Sequence, residues 1–79
     1  MNCSYGIQRG IAILGSYAKG TKELNLIRIN NKDPKYDIRA WEETEDGTRT
    51  MRRGITLTRD EALKLRDALN YEFRQEDTK

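Results

Sequence analysis

KYDIRAWEETEDGTRTMRRGITLT, residues 35–58, alternates, turns and alternates again. Over Lys35–Glu43, Tyr36, Ile38 and Ala40 fall on one side of an extended chain, and Lys35, Asp37, Arg39 and Trp41 on the other. Thr44-Glu45-Asp46-Gly47 supplies an Asp-Gly pair, a strong signal for a hairpin turn. Thr50–Thr58 returns with Met51, Ile55 and Leu57 as its apolar residues, and Gly54 marks a bulge or a close backbone approach. The outcome is a hairpin with one apolar side and one side carrying Arg39 and Trp41, with Arg52 and Arg53 close by on the returning strand.

Two further strands precede this hairpin. Residues 22–30, KELNLIRIN, hold Leu24 and Leu26 in one phase and Ile27 and Ile29 in the other, which means burial on both faces or a bulge near Leu26–Ile27. Asn31–Pro34 turns the chain, and Pro34 has no amide proton to give a ladder. Residues 5–17, YGIQRGIAILGSY, form the first strand. Tyr5, Ile7, Arg9, Ile11, Ile13 and Tyr17 share a face if it is regular, and Gly10 and Gly15 permit bulges that break the pattern. Met1–Ser4 is expected to fray. After the hairpin, Thr58 and Glu61 form a capping box. A helix is expected over 59–74, with Ala62, Leu65, Leu69 and Phe73 at helical spacing and a polar tail over 75–79. Short turns between strands favour an antiparallel meander, so the fold class is α+β, ββββα.

With 79 residues the chain makes one small domain. A domain of this size hides only roughly 60% of its unfolded surface, so one core is marginal without outside help. Cys3 is the only cysteine and there is no histidine, so neither an internal disulfide nor an ordinary zinc site supplies that help. No metal or cofactor is expected, and Cys3 reads as an inert thiol. Oligomerisation remains, and a two-fold homodimer is the expectation. Leu65, Leu69 and Phe73 either cover the chain's own sheet or join Leu63 and Tyr71 in contacting a second copy. A lone cysteine, no visible signal peptide and no long apolar run predict a cytoplasmic, nucleoid-associated protein with no membrane partner.

Catalysis finds little support. There is no histidine base and no glycine-rich phosphate loop between a strand and a helix. Glu42, Glu43, Glu45 and Asp46 sit in a turn where no pocket perturbs them, and a solvated turn is the plain reading. Binding of single-stranded nucleic acid finds more. Basic side chains grip phosphates, and aromatic faces stack on bases of any identity. The net charge is only +2, but residues 7–57 hold ten Lys and Arg against seven Asp and Glu, a moderate signal for a nucleic-acid partner. Lys35, Arg39 and Trp41 lie about 13 and 7 Å apart by strand rise, near the scale of neighbouring nucleotides. Arg52 and Arg53 join them across the hairpin, and Arg9, Lys22 and Arg28 extend the basic track. Trp41 admits a second reading as a packing residue, since tryptophan is mostly buried. Arg39, Arg52 and Arg53 equally suit the acidic turn as ion-pair partners. A protein-interaction module using the same sheet and helix is the rival function, and RNA the rival ligand.

Lys22-Glu23-Leu24-Asn25, Asp37-Ile38-Arg39 followed by Trp41, the acidic turn with Gly47, the basic pair before Gly54-Ile55-Thr56-Leu57-Thr58 and the closing helix form an ordered set. That set resembles the transcriptional coactivator positive cofactor four family, and more particularly its bacterial branch of the YdbC type. The resemblance implies a curved four-stranded antiparallel sheet, a C-terminal helix, a homodimer, and single-stranded DNA (also RNA) across the sheet. By the same resemblance Arg39 matches a backbone-contacting arginine, Trp41 a stacking aromatic and Arg53 a basic contact. Relatives tend to carry an aromatic near the second turn, where this chain reads Ile29-Asn30-Asn31-Lys32.

Overall fold

The computed structural model describes residues 5–77. The fraying expected at Met1–Ser4, the thiol of Cys3 and the last two residues of the polar tail lie outside them. The chain forms β1 (Tyr5–Tyr17), β2 (Gly20–Ile29), β3 (Lys35–Glu43), β4 (Arg49–Leu57) and α1 (Arg59–Asp77). The strands make one antiparallel sheet in the order β1-β2-β3-β4. β2 starts two residues earlier than its sequence suggests, because Tyr17 pairs with Gly20 and leaves only Ala18 and Lys19 to turn the chain. α1 runs past Arg74 to Asp77, since no glycine or proline is there to stop it.

β1 is not regular. Its register against β2 slips between Ile7 and Arg9, between Gly10 and Ala12, and between Ile13 and Gly15. Ile7 therefore opposes Ile27 while Arg9 opposes Leu26, and the shared face of odd-numbered residues is lost. The β2–β3 ladder, by contrast, is unbroken, with Leu24 opposite Ile38, Leu26 opposite Tyr36 and Ile27 opposite Lys35. The two apolar phases of β2 thus serve the two faces of the sheet; the irregularity at Leu26–Ile27 belongs to β1, which spends an extra residue, Gln8, opposite them. The β2–β3 connection turns on Asn30 and Asn31 at φ 52° and 64°, with the Lys32 amide donating to the Ile29 carbonyl at 3.0 Å. Asparagine is among the few side chains that tolerate this left-handed region.

The capping box forms in both directions. The Thr58 amide donates to Glu61 Oε1 at 2.8 Å, and the Glu61 amide donates to Thr58 Oγ1 at 3.1 Å. From this start α1 packs, among the described residues, against β3 and β4. Ala62, Leu65 and Leu69 face Leu24, Tyr36, Ile38 and Leu57 across an open groove of about 360 Å³. Leu65, Leu69, Tyr71 and Phe73 are exposed, while Leu63 is half-buried.

Little of the chain is fully interior. Among the described residues Ile27, Trp41, Asn25 and Asp37 are buried, all on β2 and β3 and all on the face away from α1. The accessible surface is 6563 Å², against about 4,900 Å² for a typical folded monomer of this mass. The radius of gyration, 14.9 Å, likewise exceeds the roughly 11.6 Å usual for this length.

Candidate nucleic-acid interface

Trp41 stands on a central strand, opposite Thr21 of β2 and Met51 of β4. Gly20 lets β2 begin against it: a Cβ there would fall 1.8 Å from the Trp41 carbonyl oxygen. The expectation of a projecting indole is corrected, because Trp41 is 2% exposed. Strand parity sets its face correctly, but that face is covered. The hairpin register places Arg49 opposite Glu43, diagonal to Trp41 and within reach of long side chains. The Arg49 guanidinium lies over the ring, 4.8 Å from its centroid. Its Nη2 also donates to Glu23 Oε2 at 2.7 Å.

Glu23 is thus the anchor of a small polar network. Thr21 Oγ1 donates to its Oε2 and Asn25 Nδ2 to its Oε1. Partial burial pushes the Glu23 carboxyl up, but the donors Thr21, Arg49 and Asn25 and the Arg49 charge outweigh it and hold the group below its ordinary value.

Arg39 also departs from expectation. Its Nε donates to both carboxylate oxygens of Asp37, at 2.8 and 2.7 Å, and Nη2 adds a bond of 2.6 Å to Oδ1. Asp37 is 0% exposed and the Arg39 side chain 16%, so this guanidinium is spent on a buried carboxylate instead of standing free for phosphate. Arg39 Nη1 donates to the Arg52 carbonyl at 3.2 Å. That carbonyl lies where Ala40 of β3 faces two residues of β4, Arg52 and Arg53, in a bulge. Arg39 therefore positions the segment that carries the basic pair. Gly54 completes the junction as a close approach, since a Cβ there would stand 2.0 Å from Arg39 Cβ and 2.4 Å from the Ile38 carbonyl oxygen.

The expected single basic track is divided between faces. Lys35 and Arg39 share the Trp41 face. Lys22 and Arg28 are in phase with Leu24 and Leu26, and Arg9 opposes Leu26, so all three belong to the α1 face. Arg52 pairs with Glu42 at 2.9 Å, whose strand phase is also that of the α1 face. Arg53 is exposed at the bulge. The cause is strand alternation: Lys22 and Glu23 are neighbours in sequence and must point apart. Sequence reasoning passed over Arg49 and Glu23. The signal for Arg49 was present, since a loop closing at Thr44–Thr48 puts it opposite Glu43 and beside Trp41.

The acidic loop is self-contained. The Thr44 amide donates to the Thr48 carbonyl at 2.8 Å and the Gly47 amide to the Thr44 carbonyl at 2.9 Å, with Gly47 at φ 87°. Asp46 accepts from the Thr44 hydroxyl and from the Thr48 amide. These bonds, the Thr44 hydroxyl first, lower the Asp46 pKa from 3.8 to about 2. Among the described residues no group of three or more Cys, Asp or Glu is placed to hold a metal ion. No described helix is long and apolar enough to cross a membrane.

Residues 18–68 match the family described as Transcriptional Coactivator p15 (PC4). That span runs from the β1–β2 turn into α1 and includes Trp41, Arg39, Arg49 and the bulge. The chain is also similar to an uncharacterized protein of Treponema pallidum (strain Nichols), 40% identical over 67 residues, which cover 84% of this chain and 75% of that one.

Proposed function

Because the chain belongs to the transcriptional coactivator p15 (PC4) family, a nucleic-acid-binding and non-catalytic family, we propose that it binds single-stranded DNA with little sequence preference, in transcription regulation, replication or repair. The observation that carries this reading is the family match across the sheet and the start of the helix. The geometry adds support. Trp41, Arg49 and Lys35 put one indole and two cations on one face, and Arg53 stands exposed at the bulge. Arg9, Lys22 and Arg28, on the other face, steer an anionic strand at longer range. The protein works in the cytoplasm, at the nucleoid.

The binding unit in this proposal is a homodimer. The surface in excess of a typical monomer is roughly 1,600 Å². An obligate pair hides about 2,000–5,000 Å² in total, so the excess matches one chain's share. Ile55, Leu65, Leu69, Tyr71 and Phe73, all exposed, supply the apolar area.

The test is fluorescence anisotropy of labelled oligo-dT over a salt series, with duplex DNA and RNA as competitors. Saturable binding whose logarithmic salt slope is near −0.7 per phosphate contacted is expected, with the duplex a poor competitor. Unchanged anisotropy at low salt contradicts the proposal. RNA competing better than DNA would move the ligand to RNA, which differs by its 2′-hydroxyl.

A further inference from the structure

The proposed function leaves a difficulty: the chain's only indole is shut beneath an arginine. The arrangement of that arginine resolves it. Its side chain is 45% exposed, while Glu23, which holds it, is 13% exposed. The carboxylate is fixed in the sheet by Thr21 and Asn25, whereas the guanidinium reaches in from the first residue of β4 on a side chain nearly half in solvent. Arg49 and Glu23 also border an open depression of about 380 Å³ with Gly10, Ile13 and Asn25, so the covering group moves beside a space rather than into packed chain.

We propose that Arg49 is a nucleotide-binding residue that acts as a latch over Trp41. Without ligand it is tethered to Glu23 and lies on the ring. A strand phosphate replaces Glu23 as its partner, the guanidinium turns to that phosphate, and the uncovered indole receives the adjoining base. This rests on the reading of the chain as a single-strand binder. An ion pair with one solvated member is weak, and a cation–π contact whose cation stands nearly half in solvent is modest. A base stacked on an aromatic ring, together with a charge-assisted bond to phosphate, outweighs them.

The test uses Trp41 emission with acrylamide as quencher, beside the anisotropy of labelled oligo-dT. Free wild-type protein should be quenched weakly, and Arg49→Ala several-fold more strongly with red-shifted emission. Oligo-dT should change the emission of wild type. Glu23→Gln, which releases Arg49 from its competitor, should bind oligo-dT about two- to fivefold more tightly, the factor an exposed ion pair is worth. Arg49→Ala should flatten the salt slope by about 0.7. Should Arg49→Ala fail to fold, Arg49→Lys serves in its place. It keeps the charge but loses the planar cover, so stronger quenching with a retained slope is expected. Equal quenching in wild type and the Arg49 variants, or Glu23→Gln binding no more tightly than wild type, overturns the latch. Wild type that binds by anisotropy with unmoved Trp41 emission also overturns it, and leaves the functional reading standing. Wild type that does not bind at all removes that reading, and with it the nucleotide role of Arg49.

Discussion

On one face of the sheet Asp37, Asn25, Ile27 and Trp41 are buried; Asp37 is tied to Arg39 and Asn25 to Glu23, and Arg49 lies over the Trp41 ring. On the other face Ile38, Leu57, Leu65 and Leu69 border a groove that stands open among the described residues. The face that holds the buried Asp37–Arg39 pair is the finished one and the face that holds the apolar groove is the open one, the reverse of what solvent exposure alone would favour. The difference teaches where each kind of partner belongs. A face whose charges are mutually satisfied offers placed groups to a ligand, and a face whose carbon is bare awaits more carbon.

Asp37→Ala is the severest way to break this comparison. It leaves the nearly buried Arg39 guanidinium without its carboxylate, a change that costs about 3–5 kcal/mol. In a domain whose whole stability is about 5–15 kcal/mol, urea denaturation should show most of the folded range gone. A loss below about 0.5 kcal/mol would place the pair in solvent and erase the contrast. Leu69→Asp attacks the other face. It should remove about 2 kcal/mol of apolar burial per copy and shift sedimentation mass from dimer to monomer, whereas an unchanged mass would leave α1 outside any interface. Thr58→Ala sharpens the picture by separating the helix from the sheet. Losing half of the capping box should cost about 1 kcal/mol, read as a lower thermal midpoint, with labelled oligo-dT affinity unchanged at low temperature.

The smallest effect concerns the hairpin tip. The Asp46 pKa is depressed in the folded loop, from 3.8 to about 2, so the folded state binds its proton less readily than the unfolded chain. The stabilisation is therefore fully present above about pH 4 and is lost as pH falls toward 2. Amide exchange at Thr48, whose N–H donates to Asp46, should lose protection over that window. Asp46→Asn should lack that acid step.

How much was legible in the residues follows the range of each signal. The Asp-Gly turn, the reciprocal cap of Thr58 and Glu61 and the parity of β3 are local, and each is found where the sequence places it. Parity says which side of a sheet a residue takes, not whether that side is covered. Arg49 lies over Trp41 and is tethered to Glu23, 26 positions away. Likewise Arg39 and Asp37 were legible as neighbours on one face, but only the assembled sheet shows that the carboxylate is shut in and takes the cation with it. The β1 bulges lay beyond reach because Gly10 and Gly15 permit a slip without dictating one.

The bulge at Arg52 and Arg53 has an unusual corollary for chain length. From Arg39–Gly54 to Trp41–Met51, β4 spends one residue more than β3. Excising either arginine would convert this step into a regular ladder, leaving Met51 across from Trp41 and Arg49 across from Glu43. Elsewhere in a strand a one-residue deletion turns every following side chain to the wrong side. Here the hairpin holds a spare position, at which a cation can be removed with no shift in the residues beyond it.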